Sequence, residues 1–185
     1  MVSNITNLSE ARYCAGMGVH FLAFPSDIVN PKMYQDITSW VQGPEMVLDI
    51  SASEGIPGNC TEYKSDYILM NPEQLLKINA PVSTALMIKA SRTFPFDESR
   101  MVAHTGKIRY VIAENLPDEE IKNISNNGYH VLVATNDQNE ISLLDKVFLL
   151  QATGIVLKGR QETRPGLKNY DHLASVLDLL EDTEN

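Results

Sequence analysis

Short apolar runs recur along the whole chain, about one every 20–25 residues, separated by more polar stretches. They fall at residues 2–5, 21–24, 46–50, 67–70, 83–88, 108–113, 130–134 and 154–157. Most are nearly continuous rather than alternating. That is the pattern of parallel strands covered on both faces. The intervening stretches carry helix punctuation. Asn7-Leu8-Ser9-Glu10 reads as a capping box, with Asn7 as N-cap and Glu10 reaching back, and Gly18 suits the left-handed residue that ends the helix. Asn30-Pro31 and Asn71-Pro72 each set a cap residue before a proline at the first helical position. Asp118, Glu119 and Glu120 place acids in the first turn of a helix that Gly128 closes. A final helix is predicted over 169–181, with Leu173, Val176, Leu177 and Leu180 on one face.

Strand and helix in alternation imply βαβ units and a parallel sheet. Eight units in one domain spanning residues 1–185 predict a compact (β/α)8 TIM barrel. The same alternation also fits a doubly wound open sheet. Residues 51–65 hold Gly55, Pro57 and Gly58 with little helical periodicity, so a loop is expected to replace one barrel helix there.

Composition narrows the function classes. The 43% hydrophobic and 21% charged content is ordinary for a globular chain. A net charge of -9 argues against nucleic acid or an anionic membrane as partner, since both require a positive field. It leaves room for a local phosphate site. No run is long enough to span a bilayer, and the first residues lack the basic and apolar segments of a signal peptide. A cytoplasmic protein is expected. Cys14 and Cys60 are too few for a disulfide scaffold or a thiolate cage, and Cys14, mid-helix, reads as a packing residue. His20, His104, His130 and His172 show no metal-ligand spacing, and no P-loop, dinucleotide fingerprint or nucleophile elbow occurs. No cofactor or metal is expected.

Both ends of the chain carry more specific signals. The start reads Met1-Val2-Ser3-Asn4-Ile5-Thr6, then a helix containing Glu10-Ala11, then Gly18-Val19-His20-Phe21. The end reads Val156-Leu157-Lys158-Gly159-Arg160-Gln161-Glu162-Thr163-Arg164-Pro165-Gly166-Leu167-Lys168. Both resemble phosphoribosylanthranilate isomerase, a tryptophan-pathway family whose first strand reads roughly K-I-C-G-I-T and whose last reads roughly D-V-S-S-G-V-E-x-x-P-G-x-K. The shared Glu-x-x-Pro-Gly-x-Lys spacing is the most specific element, and the middle is similar through strand spacing alone.

The resemblance implies an Amadori rearrangement of a phosphorylated aminoaldose. It implies a cysteine base ending the first strand, an aspartate acid ending the sixth, and a phosphate cradle in the loops after strands seven and eight. Here the cysteine position is Ser3, a poor base without an activating partner. The lysine beside it falls on Met1 and the glycine on Asn4. The acid position falls on or beside Glu114, one methylene longer than aspartate, which also suits a helix cap. The second loop offers Asp27 where the family has arginine, and the fourth strand lacks the family's Gln-Leu-His ending. The cradle positions read Thr135-Asn136-Asp137 and Lys158-Gly159-Arg160. Their cations suit a small anion, or else pair with Glu162 or Asp137.

Asp49 and Lys89 end the third and fifth strands and should point into the mouth, as a salt bridge or a proton relay. The expected catalytic candidates are therefore Glu114, Ser3 and Asp49, and the expected anion-binding residues Lys158, Gly159, Arg160 and Thr135. Three readings follow. The chain is an isomerase-like barrel that has lost the reaction, an active sugar-phosphate isomerase using Glu114 as acid, or a regulatory module binding a small anion. The expected partner is a phosphorylated small molecule, and the expected state a monomer or homodimer.

Overall fold

The computed structural model describes residues 1–78, 83–134, 147, 149–159, 173–174 and 176–177. Eight strands close into a parallel barrel in sequence order: β1 (Val2–Ser3), β2 (Phe21–Pro25), β3 (Glu45–Asp49), β4 (Tyr67–Met70), β5 (Ala85–Ser91), β6 (Ile108–Glu114), β7 (His130–Ala134) and β8 (Gly154–Lys158). Closure is made by β8 against β1, pairing Val2 with Leu157 and Ser3 with Lys158. The open-sheet alternative is thereby excluded.

Helices α1 (Leu8–Gly16), α2 (Pro31–Thr38), α3 (Pro72–Leu76) and α4 (Asp118–Asn126) lie between strands. Their starts follow the punctuation. Asn30 Oδ1 accepts from Met33 N at 3.0 Å, and Asn71 forms a complete capping box with Gln74. Asn7 forms the expected first half, accepting from Glu10 N at 2.9 Å. Glu10 departs from the reciprocal half: it is buried, and its Oε1 lies where a side chain on Gly159 would sit, 2.5 Å from an ideal Cβ there. Gly18 and Gly128 take positive φ values of 70° and 89°, the left-handed conformation that ends these helices.

The expected loop at 51–65 is present, with one 3-10 turn at Cys60–Glu62. A second such connection was not foreseen. Between β5 and β6 the chain makes 3-10 turns at Glu98–Arg100 and Val102–Lys107. Of the predicted last helix, Val176 and Leu177 are helical and buried, while Leu180 lies outside the described residues.

Side-chain alternation sorts the strands into two cores. One set faces outward to the helices and includes Leu22, Phe24, Leu48, Leu86, Ile88, Val111, Val131, Val133 and Leu157. The other fills the barrel. Phe21, Tyr67 and Tyr110, from β2, β4 and β6, meet edge to face at its lower end, with centroids 5.0–5.8 Å apart. Above them lie Met1, Val47, Met87 and Leu132 from the odd strands, then Ala23, Leu69, Ile112 and Val156 from the even ones. This layering by alternate strands is the packing rule of such barrels. Each strand's next inward residue lies at the upper, C-terminal end.

Candidate active site at the barrel mouth

Counting two residues onward from each filled layer names the mouth. From the odd strands come Ser3, Asp49, Lys89 and Ala134, and from β2, β6 and β8 come Pro25, Glu114 and Lys158. They surround a cavity of about 320 Å³ whose floor is Met1, Leu69, Ile112 and Val156. Asp27, Ser51 and Asn4 from the adjoining loops complete the polar rim. Polar side chains are confined to the top of a column that is apolar below.

Glu114 is the hub. Its Oε1 lies 3.4 Å from Lys89 Nζ and 3.9 Å from Lys158 Nζ. Its side chain is only 21% exposed, and that of Lys89 29%, so this contact is screened less than a surface ion pair. Two expectations are corrected. Lys89 bonds Glu114, on the neighbouring strand, and not Asp49, because β5 and β6 pair Ser91 with Glu114 and bring the two side chains to adjacent inward positions. Glu114 also does not cap α4, whose N-cap is Pro117 with no side-chain cap bond.

Asp49 stands apart from this pair. Its Oδ1 accepts from Ser51 N at 2.9 Å. Burial pushes its carboxyl above the usual aspartate value; contacts with Ser51 and the charge of Lys89 oppose the rise, and Asp27 adds to it. A carboxyl whose affinity for its proton is raised by burial in a cleft is a candidate for proton transfer.

Ser3 faces the cavity, but its Oγ donates to Leu157 O at 3.1 Å. The next residue, Asn4, has φ 64°, the left-handed region that asparagine tolerates and glycine prefers. The tight turn that glycine would serve is thus kept with a side chain. Asn4 Nδ2 reaches Gly159 O at 3.5 Å, and Gly159 N donates to Ser3 O at 2.7 Å. These bonds tie the ends of β1 and β8 together. Lys158, at 59% side-chain exposure, overhangs the rim. Thr135, Arg160, Asp137 and Glu162 lie outside the described residues.

The sequence reading missed that Lys158 and Lys89 converge on one carboxylate, and that Ser51 and Asn4 join the rim. The signal was available: stepping by two along β5, β6 and β8 from buried Met87, Ile112 and Val156 leads to Lys89, Glu114 and Lys158. Cys14 is fully buried among core residues, as expected. His20 lies at the opposite end of the barrel, lining a cavity with Met17, Thr153 and Gly154. Among the described residues no helix is long and apolar enough to cross a membrane, and no cluster of His, Cys, Asp and Glu could hold a metal ion.

No family model matches the sequence, and no curated protein matches it. Solved structures do match. Phosphoribosylanthranilate isomerase from Thermus thermophilus superposes with a TM-score of 0.73 at 14% identity, covering 98% of each chain. A phosphoribosylanthranilate isomerase solved with reduced 1-(o-carboxyphenylamino)-1-deoxyribulose 5-phosphate gives 0.69 at 10% identity, covering 98% of this chain and 97% of that one. A truncated 3-deoxy-D-arabino-heptulosonate 7-phosphate synthase from Thermotoga maritima reaches 0.71 at 13% identity, covering 98% and 85%. At such identities the likeness is one of fold, and a synthase among the matches underlines that this fold hosts more than one chemistry. The chain therefore folds as a (β/α)8 barrel of the phosphoribosylanthranilate isomerase type.

Proposed function

We propose that this chain is an isomerase-like barrel that has lost the Amadori rearrangement and keeps its mouth as a binding site for a small phosphorylated molecule. The observation that carries this reading is Ser3. The resemblance places the catalytic base there, yet the residue is a serine whose hydroxyl donates to a backbone carbonyl, Leu157 O. No neighbouring base lies within hydrogen-bond distance of it among the described residues. Proton abstraction from a sugar carbon needs a group of suitable basicity held at that point, and misplacement by about 1 Å costs around a hundredfold.

Retained binding is supported by the open cavity and by Lys89 and Lys158 on its wall. An isomerase of the same fold is described in complex with a phosphorylated ribulose derivative. One such enzyme, from Thermotoga maritima, is described as dimeric, so a homodimer is as compatible with this fold as a monomer. Purified protein given phosphoribosylanthranilate is expected to show no turnover. Turnover abolished by Ser3→Ala would overturn the reading. Calorimetry with ribose 5-phosphate is expected to detect binding, and no heat at about millimolar ligand, the affinity of a weak site, would remove the binding half.

A second reading is favoured by Glu114 and Asp49 both facing the cavity. In it the chain remains a sugar-phosphate isomerase, with Glu114 as acid and Asp49 as base. Growth of a tryptophan auxotroph lacking the isomerase supports it, and failure with folded, expressed protein counts against it.

A further inference from the structure

The mouth holds an amine, Lys89, that neither reading uses as a nucleophile. We infer that Lys89 is placed to form a Schiff base with a small ketone or keto acid, with Glu114 as proton acceptor and Asp49 as the acid that releases water. The inference goes beyond the proposed function, and needs only that the cavity admits a small carbonyl compound.

Three features of the geometry carry it. Lys89 occupies an inward position on β5 directly above Met87, and with Leu69, Ile112 and Val156 beneath the cavity, a carbonyl group entering from above meets the amine over an apolar floor. Glu114 Oε1 is 3.4 Å from Lys89 Nζ, within reach of its proton. Asp49 lies on the same cavity wall without an ion-pair contact to Lys89. Burial favours the neutral form of its carboxyl, which is the form that donates.

The step balances. The Lys89 ammonium gives one proton to the Glu114 carboxylate, and the freed nitrogen lone pair bonds to the carbonyl carbon while the π pair moves to oxygen. A second proton passes from nitrogen to that oxygen, giving a carbinolamine. The C–O bond then breaks as Asp49 protonates the leaving hydroxyl. Water departs, nitrogen's lone pair forms the iminium, and Asp49 is left as carboxylate. Water in the open mouth returns the proton from Glu114 to Asp49. An iminium at this point withdraws electrons from the adjacent carbon, which is the basis of covalent catalysis on carbonyl substrates.

The test uses the full chain with pyruvate or dihydroxyacetone as probe and sodium borohydride as trap, read by intact mass and peptide mapping. The expected result is one adduct per chain on the peptide containing Lys89, absent in Lys89→Arg and unchanged in Lys32→Arg, an exposed lysine of α2. Asp49→Asn and Glu114→Gln are expected to slow trapping about a hundredfold, the usual contribution of a general acid or base. These two variants keep side-chain size, so they report on the step even if Lys89→Arg folds poorly. Equal labelling of Lys89 and Lys32, or no adduct with either probe, overturns the proposal. Turnover of phosphoribosylanthranilate is measured separately, so the fate of the proposed function does not decide this one.

Discussion

Replacing Gln74 with leucine removes polar contacts while keeping size, and the structure sets the cost. Gln74 is 3% exposed. Its Nε2 donates to Ile50 O at 2.7 Å and Ser53 O at 2.8 Å, and its Oε1 accepts from Asn71 N at 2.9 Å. These bonds fasten the loop after β3 to the start of α3. The substitution takes a partner from four backbone groups: Ile50 O, Ser53 O, Asn71 N and, at 3.4 Å, Gly55 O in the exposed part of the loop. Ser53 is half-exposed, so its carbonyl turns to water at little cost. Ile50 is fully buried, but its carbonyl keeps the bond from Ser53 N at 3.0 Å, so it loses one of two donors and about 0.5–1.5 kcal/mol, the net worth of a hydrogen bond. Asn71 N–H loses the returning half of the capping box, worth about 1 kcal/mol, while Asn71 Oδ1 keeps its bond to the backbone N of residue 74. The total is about 1.5–2.5 kcal/mol. In urea, with a slope of about 2 kcal/mol/M, the midpoint should fall by about 1 M at constant slope. The control is Gln35→Leu, which removes a bond of the same kind, Nε2 to Glu62 O at 3.2 Å, from an exposed position. It should cost less than about 0.5 kcal/mol. If Gln74→Leu also loses less than about 1 kcal/mol, burial is not what gives these bonds their weight, and the reasoning fails.

Three further outcomes are expected. Asp49→Asn should leave stability unchanged at low pH, where the carboxyl is neutral both folded and unfolded. Because burial raises the folded-state value above 3.8, the wild type loses stability as pH climbs from there to the folded-state value, and the variant should then be the more stable of the two; urea titrations across the acid range measure this, and a wild type that gains on the variant with rising pH contradicts it. Gly159→Ala places a Cβ 2.5 Å from Glu10 Oε1 and 3.1 Å from Ser3 O, so overpacking should cost about 1–3 kcal/mol, visible as a lower melting temperature. Phe21→Ala empties the lower end of the barrel between Tyr67 and Tyr110 and should cost about 3–5 kcal/mol by urea denaturation.

The strands were legible because burial on both faces leaves an unbroken apolar signature. Their upper ends were not. The apolar runs stop at residues 24, 113 and 157, whereas the strands continue to Pro25, Glu114 and Lys158. Those last residues face the mouth, and their lower hydrophobicity is what makes the run seem to end. β1 errs the other way: it stops at Ser3 because Asn4 leaves extended geometry at φ 64°. Helix starts at Asn30 and Asn71 were readable because a cap is a local bond. The burial of Glu10 was not, since its carboxylate lies beside Gly159, far off in sequence. The same holds in the mouth. Ser3, Asp49 and Glu114 were identifiable one by one from strand ends, but the preference of Lys89 for Glu114 over Asp49 depends on strand register, which no local pattern encodes.

The division of the barrel into an apolar column with a polar cap bears on how such a chain changes over time. Met87, Leu132, Leu69 and Ile112 bear the packing, while Ser3, Asp49, Lys89, Glu114 and Lys158 stand above them and line the mouth. Substitutions in the upper set leave the column intact, so selection can rewrite one without refolding the other. A lineage that abandons one reaction is then left with a sound vessel and a few freely exchangeable groups at its lip, from which a different reaction can be assembled by single steps.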